Sequence, residues 1–334
     1  MSLFSRKPVE EVEPAPEPRQ FPIPRPAVRA DGLRDFDQQR DFVLDLLTPL
    51  APFGVALLDA VGLTLNESIT AEQNLPGSGV KVGDVLVAKG TRIEPRLVGL
   101  LAGVGITKVM TRPKPRIVVI PVGRPSQALA GGQDLVSYLV AAQLQDLGAQ
   151  LFHVPGTAYD EDELTELISD QLIRADLIIT TGGFADDEVN VGAVLERIGL
   201  ADLTEAAISP GRQQGVALVG DDDVPLLALP SDPVAAHILL MTLVVPAVRQ
   251  LMGVEQVRPA TRRARVTQPV SVTPGLLTAA HVVVDEADTL SFRGRRQGID
   301  ALMAITRANG IALLLSPDGQ ITIGSWVDYI PLTS

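Results

Sequence analysis

The strongest constraint on this chain is the run Leu177-Ile178-Ile179-Thr180-Thr181-Gly182-Gly183, apolar until it halts at hydroxyls and glycines. A short apolar run that stops so abruptly is the pattern of a parallel strand buried on both faces, seen at its carboxyl edge. Glycines there let a ligand approach the backbone, and the loop feeds a helix from about Asn190. Small molecules bind at that edge of open α/β sheets. The stretch is therefore read as an anion-tolerant ligand loop through Thr181, Gly182, Gly183 and Asn190. A Gly-Gly turn also serves as a plain tight connection, so it does not settle function alone.

Strands and helices alternate around this run from Arg116 to Gly253. Ile117 to Ile120 and Leu151 to Val154 read as buried strands. Val136, Val140, Leu144 and Leu147 line one helix, and Leu164, Leu167, Ile168 and Leu172 line another. Gly215 to Val219 and Leu226 to Leu229 flank Asp221-Asp222-Asp223 as a hairpin. Ser231 or Asp232 caps a long helix to Leu251 that begins with Pro233 and is apolar nearly all round, hence buried. Such alternation implies right-handed βαβ units and a parallel sheet.

The flanks differ. Residues 1–30 hold seven prolines among Glu and Arg, which predicts a disordered, extended tail or a docking segment at Phe21 to Pro26. Residues 31–111 read as a small α+β domain, with helices from Asp35 to Leu50 and from Pro95 to Gly105. Residues 254–334 read as a small, mostly β domain whose extended end follows the turn Pro317-Asp318-Gly319. Its cluster Arg293, Arg295 and Arg296 suits a phosphate or an acidic partner, or a solvated strand end.

Composition narrows the function. A net charge of −12 argues against a nucleic-acid surface. The absence of cysteine excludes disulfides, Cys-based zinc sites and a thiol nucleophile. With no secretory signal and no uninterrupted apolar run of roughly 18 residues, a cytoplasmic protein without direct membrane insertion is expected. Three scattered histidines give no readable metal set, and His237 reads as a packed core residue.

The order of several motifs carries a resemblance. Val98 to Ile106, Arg112-Pro113-Lys114-Pro115-Arg116-Ile117, the Thr181-Gly182-Gly183 loop, Pro210-Gly211-Arg212, Leu229-Pro230-Ser231-Asp232-Pro233 and Ala308-Asn309-Gly310 together resemble the molybdopterin molybdenumtransferase family, MoeA and the gephyrin E domain. The resemblance runs from about Asp35 to the end. It implies a molybdopterin-binding-like α/β domain over 112–253, a homodimer, and binding at Thr181, Gly182, Gly183, Asn190, Pro210, Gly211, Arg212 and Ser231. It also implies insertion of molybdate into adenylylated molybdopterin with Mg, in which Asp134 would be the catalytic carboxylate.

The departures from that family are equally plain. Gly123-Arg124-Pro125 replaces Gly-Asp-Glu, so a carboxylate pair becomes a cation and a ring. Ala185 and Asp187 replace a hydroxyl residue and a glycine beyond the Gly-Gly turn, and Asp186 to Glu188 are three consecutive acids. Pro76-Gly77-Ser78-Gly79 joins almost directly to Val80, near 76–80, where the family inserts a lid domain. The chain is therefore expected to have lost catalysis and to act as a scaffold or regulatory binding protein, or to store or present a pterin or nucleotide without reaction; molybdopterin, molybdate and Mg are expected only if the family activity is kept. An enzyme of molybdenum-cofactor synthesis is the alternative. A protein or peptide partner, perhaps of a membrane protein, is expected at Arg293, Arg295 and Arg296.

Overall fold

The computed structural model describes residues 19–75, 77–123, 134–156, 158–184, 189–292 and 298–332, with only the backbone of 298 and 299. Asp35 opens the first helix by accepting from the N–H groups of Asp37 and Gln38, and α1 (Phe36–Asp45) follows. A small module comes next: β1 (Phe53–Ala56), β2 (Thr64–Leu65), β3 (Ile69–Thr70), β4 (Val85–Val87), α2 (Pro95–Gly103) and β5 (Lys108–Arg112). Here β5 lies between β1 and β2, and Leu57, Leu65, Ile93, Leu101 and Val109 make a separate core. Strands β3 and β4 pair as a ribbon, and the link between them folds back on itself. Ala71 N–H donates to Asp84 O at 2.9 Å and Leu75 N–H to Val80 O at 3.0 Å.

The central domain runs β6 (Arg116–Pro121), α3 (Leu135–Leu147), β7 (Gln150–His153), α4 (Glu161–Gln171), β8 (Leu177–Thr181), α5 (Val191–Ile198), β9 (Gly199–Asp202), β10 (Ile208–Ser209), β11 (Gly215–Val219) and β12 (Val224–Leu229). Its six-stranded sheet has the order β7-β6-β8-β12-β11-β9. The first four strands are parallel, as expected. The acidic hairpin then reverses the chain, so β11 is antiparallel to both β12 and β9, and the sheet is mixed. Alternate side chains of β6 go to opposite faces. Ile117 and Val119 join the core under α1 and α3, whereas Val118 and Ile120 join the core under α4 and α5.

After β12 the chain forms α6 (Pro233–Leu239), a π-helical turn at Leu240–Val244, and α7 (Val245–Met252). Pro246 explains the wide turn: it offers no N–H, and its ring needs space from the carbonyl four residues back. At 20 residues and mean hydropathy 1.7, Pro233–Met252 is long and apolar enough to cross a membrane by length and composition alone. Of its most apolar window, 83% is buried inside the protein, which makes it a core helix.

The last region holds β13 (Arg262–Val266), β14 (Val270–Ser271), β15 (Leu277–Val284), β16 (Thr289–Phe292), α8 (Gly298–Arg307), β17 (Gly310–Leu314), β18 (Gln320–Ile321) and β19 (Trp326–Pro331). Strands β15, β16, β13, β19 and β17 pair in a circle, since β17 also pairs with β15. The closed barrel packs Ala264, Val282, Leu290, Ala312 and Tyr329 inside. Strand β10 adds to β15 in parallel and ties the barrel to the central domain. Helix α8, absent from the sequence reading, lies against α6.

From residue 19 the proline-rich segment is packed, which corrects the expectation of a free tail to residue 30. Phe21 meets the Phe42 ring edge-on at 5.5 Å, and Ile23 joins the same core. Arg19 pairs with Asp223, Arg25 lies over Phe21, and Arg29 Nη1 donates to Gly275 O at 2.6 Å. Proline restricts the unfolded chain, so few anchors suffice to hold it.

Candidate functional site

The carboxyl ends of β6, β8 and β12 lie side by side, and the helices that follow them start at the same edge of the sheet. At β8, Gly182 and Gly183 have φ of +102° and +79°. A Cβ on Gly182 would sit 2.4 Å from Val122 O, and one on Gly183 would touch both Val122 and Val191 at 3.0 Å. The glycines are thus required by the close approach of the β6 and β8 loops. This is also a structural reason for them, independent of any ligand. The would-be Cβ of Gly182 lies 3.9 Å from Ser231 Cβ, which brings the β12 loop into the same cluster.

Three side chains cap the helices that start here. Asp134 Oδ2 accepts from Ser137 N–H at 2.7 Å and from the buried Thr181 hydroxyl at 3.1 Å. Asn190 Oδ1 accepts from Ala193 N–H at 3.2 Å, and Asp232 Oδ1 accepts from Ala235 N–H at 2.8 Å. Free helix N-termini would attract anions. Here two of the three carry a carboxylate of the chain itself.

Behind Asp134, the buried Ser137 hydroxyl donates to Asp134 O at 3.0 Å and contacts His153 Nε2 at 2.9 Å. The His153 ring also lies 4.7 Å from that of Tyr138. Burial pushes the His153 imidazole below its usual range, against the opposing pull of the Asp134 charge. Ser137 and His153 were not singled out in the sequence. They meet only because β6 and β7 are neighbours, which no local pattern announces.

The remaining predicted residues fall elsewhere. Pro210 follows a cis peptide bond after β10, and Gly211, with φ +106°, packs against Leu239, two turns beyond the Ser231 end of α6. Arg212 is half-exposed, with its Nε 3.7 Å from Glu205. It lines a cleft of about 420 Å³ shared with Arg29, Asp31, Leu33, Glu205 and Leu276. That cleft lies between the N-terminal segment and the barrel; none of the capping residues at the sheet edge line it. The sequence-predicted set is therefore split between two neighbouring places. Arg293, Arg295 and Arg296 lie outside the described residues, as do Arg124-Pro125 and Ala185 to Glu188.

Arg34, also missed in the sequence, braces the loop that carries Arg212. It is buried and donates to Asp202 Oδ2 at 2.9 Å, and Arg34 N–H donates to Glu205 O at 2.8 Å. Burial works to raise the Asp202 carboxyl. The Thr204 N–H and hydroxyl, together with Arg34, outweigh it and hold the group below the ordinary carboxylate range.

Among the described residues, no three His, Asp or Glu side chains converge as a metal would require. Asp134 is the carboxylate best placed at the edge, but one of its oxygens is already bound twice by the protein. The described residues do not form a divalent-cation site.

The sheet with its capped carboxyl edge, the two-stranded ribbon and the attached barrel define a protein built around a molybdopterin-binding type of α/β domain. Residues 118–250 match the family model described as a probable molybdopterin binding domain. Molybdopterin molybdenumtransferase 1 of Mycobacterium tuberculosis is 31% identical over 266 residues, covering 75% of this chain and 62% of the relative. Molybdopterin molybdenumtransferase 2 of the same organism is 27% identical, covering 77% and 66%. The molybdenum cofactor biosynthesis protein of Pyrococcus furiosus shares the fold at TM-score 0.70 and 21% identity, over 90% of this chain and 99% of that one. The molybdopterin biosynthesis MoeA protein of Pyrococcus horikoshii does so at TM-score 0.72 and 14% identity, over 90% and 100%. The chain thus carries a molybdopterin-binding type of domain and is similar over most of its length to molybdopterin molybdenumtransferases (MoeA), and it spans 62% of the length of the first of these curated relatives.

Proposed function

We propose that this chain is a member of the molybdenum-cofactor family that does not insert molybdate and works as a scaffold or regulatory binding protein. The observation that carries this reading is the pair of carboxylates, Asp134 and Asp232, seated on helix N-termini at the sheet's carboxyl edge. The anionic substrates of the family, molybdate and a pterin phosphate, would meet negative charge where helix ends would otherwise attract them. The self-closed ribbon between β3 and β4 supports it further, because the family resemblance implies a lid domain inserted there to shield the reacting groups from water. On this reading the protein is a cytoplasmic homodimer that holds a protein or peptide partner.

A second reading keeps the enzyme. What favours it is the retained polar set of Asp134, Thr181 and Ser137 at the edge, which would bind and orient a pterin substrate. The deciding experiment supplies adenylylated molybdopterin, molybdate and Mg²⁺ and measures active cofactor, with a full-length relative assayed beside this chain. No formation above background is expected. Turnover near that of the relative, abolished by Asp134→Ala, restores the enzyme.

A further inference from the structure

The outer wall of the barrel carries a feature that the cleft does not use. Side chains of β13 alternate, so that Ala264 and Val266 point into the barrel while Arg263 and Arg265 point outward. Strand β19 alternates in the same way, placing Trp326 and Asp328 outside and Val327 and Tyr329 inside. The register sets Arg265 opposite Trp326 and Arg263 opposite Asp328. Both guanidiniums lie over the one indole, at 4.8 Å for Arg265 and 5.8 Å for Arg263.

On the other side of β19, Leu313 pairs with Asp328, and Leu315 follows just past the end of β17. Leu315 is 64% exposed and Ile323, in the turn leading to Trp326, is 66% exposed. Asp328 lies 3.9 Å from Arg263, and the turn holding Asp285 and Asp288 adjoins the Arg265 backbone, whose N–H donates to Asp288 O at 2.7 Å. This cationic, apolar face stands on a chain whose net charge is −12.

We infer that this face binds an acidic peptide segment of a partner protein, with carboxylates on Arg263 and Arg265 and apolar side chains on Trp326, Leu315 and Ile323. Guanidinium forks match carboxylates in shape, and stacking on the indole holds them in place before the partner arrives. The rest of the acidic surface repels such a segment, which concentrates binding on this face. The same field disfavours nucleic acid, whose long run of phosphates needs a continuous basic track rather than two arginines beside an aspartate. The inference is independent of whether the cleft binds a pterin.

Trp326 is the only tryptophan of the chain, so its emission reports on this face alone. The test uses the full chain and a fluorescein-labelled synthetic peptide of six Glu-Leu repeats. Saturable binding at low salt is expected, with a blue shift of Trp326 emission and at least a tenfold weakening in 0.5 M NaCl. The double substitution Arg263→Glu and Arg265→Glu should abolish binding, with far-UV circular dichroism confirming the fold. Arg263→Gln with Arg265→Gln, a milder change, should weaken it at least fivefold. Three results overturn the inference: no emission shift at millimolar peptide, equal affinity for a Gln-Leu peptide, or equal affinity for the arginine variants. Tighter binding of oligo-dT than of the acidic peptide would also overturn it and mark a nucleic-acid surface instead.

Discussion

His237 on α6 and His281 on β15 face each other across the junction of the central domain and the barrel, with Nδ1 and Nε2 2.7 Å apart and the rings stacked at 5.0 Å. One ring donates the shared proton and the other accepts it, and burial holds both imidazoles neutral.

Stability should fall as this contact is protonated. Burial, with the neighbouring His281 adding to it, lowers His237 to about 3, and burial lowers His281 to about 4. The folded values lie below the unfolded one, so the unfolded chain binds more protons. The contribution is complete above about pH 6.5 and is lost as pH falls toward 4 and 3. Between pH 6.5 and 5 the loss should approach 2 kcal/mol per histidine. Urea titrations at each pH measure it, with His281→Phe as the comparison. A stability unchanged over that interval would show the pair to be unimportant.

Gly182→Ala should be far more damaging than Gly79→Ala. Both glycines have positive φ, at +102° and +75°, so both substitutions carry the left-handed strain of about 1–2 kcal/mol. Only at Gly182 does the new Cβ also strike a carbonyl oxygen, whereas nothing lies within 4 Å of it at Gly79. A further 1–3 kcal/mol of overpacking is expected there. Equal melting temperatures for the two variants would contradict the close approach of the β6 and β8 loops.

Arg34→Met should cost about 3 kcal/mol, because it removes the buried partner of the Asp202 charge and leaves only the more distant Arg25, 3.7 Å away. Adding Asp202→Leu should recover part of that loss, since an apolar pair avoids the desolvation of two charges. A double variant less stable than Arg34→Met alone would refute this account. Denaturant midpoints of the three proteins make the comparison.

Asp232→Asn tests the electrostatics of the edge without removing the cap, because asparagine caps as well as aspartate. Sulfate should then raise the melting temperature of the variant by more than it raises that of the wild type. The same response in both proteins would remove the main support for an anion-repelling edge.

The sequence disclosed the central sheet well for a physical reason. Its strands are continuous apolar runs, and Asp221 to Asp223 can hardly be anything but a turn. The reversal at β11 was visible in that turn, but β9 was not, because Gly199 to Asp202 lacks both an apolar run and alternation. Barrel closure was hidden altogether, since it rests on β15 meeting β17 across some thirty intervening residues. Arg34 looked like any surface arginine, and only the fold brings Asp202 to it. At the site, Asp134 and Thr181 were legible from motif order, while Ser137 and His153 required knowledge of strand neighbours.

The anchoring of Arg19 at the β11–β12 turn has a geometric consequence. That turn precedes β12, so it marks the pole of the sheet opposite the capped helix ends. Residue 19 therefore sits at this far pole. A tether or bulky fusion joined directly at residue 19 would sit at the pole away from the capped edge and leave that edge open.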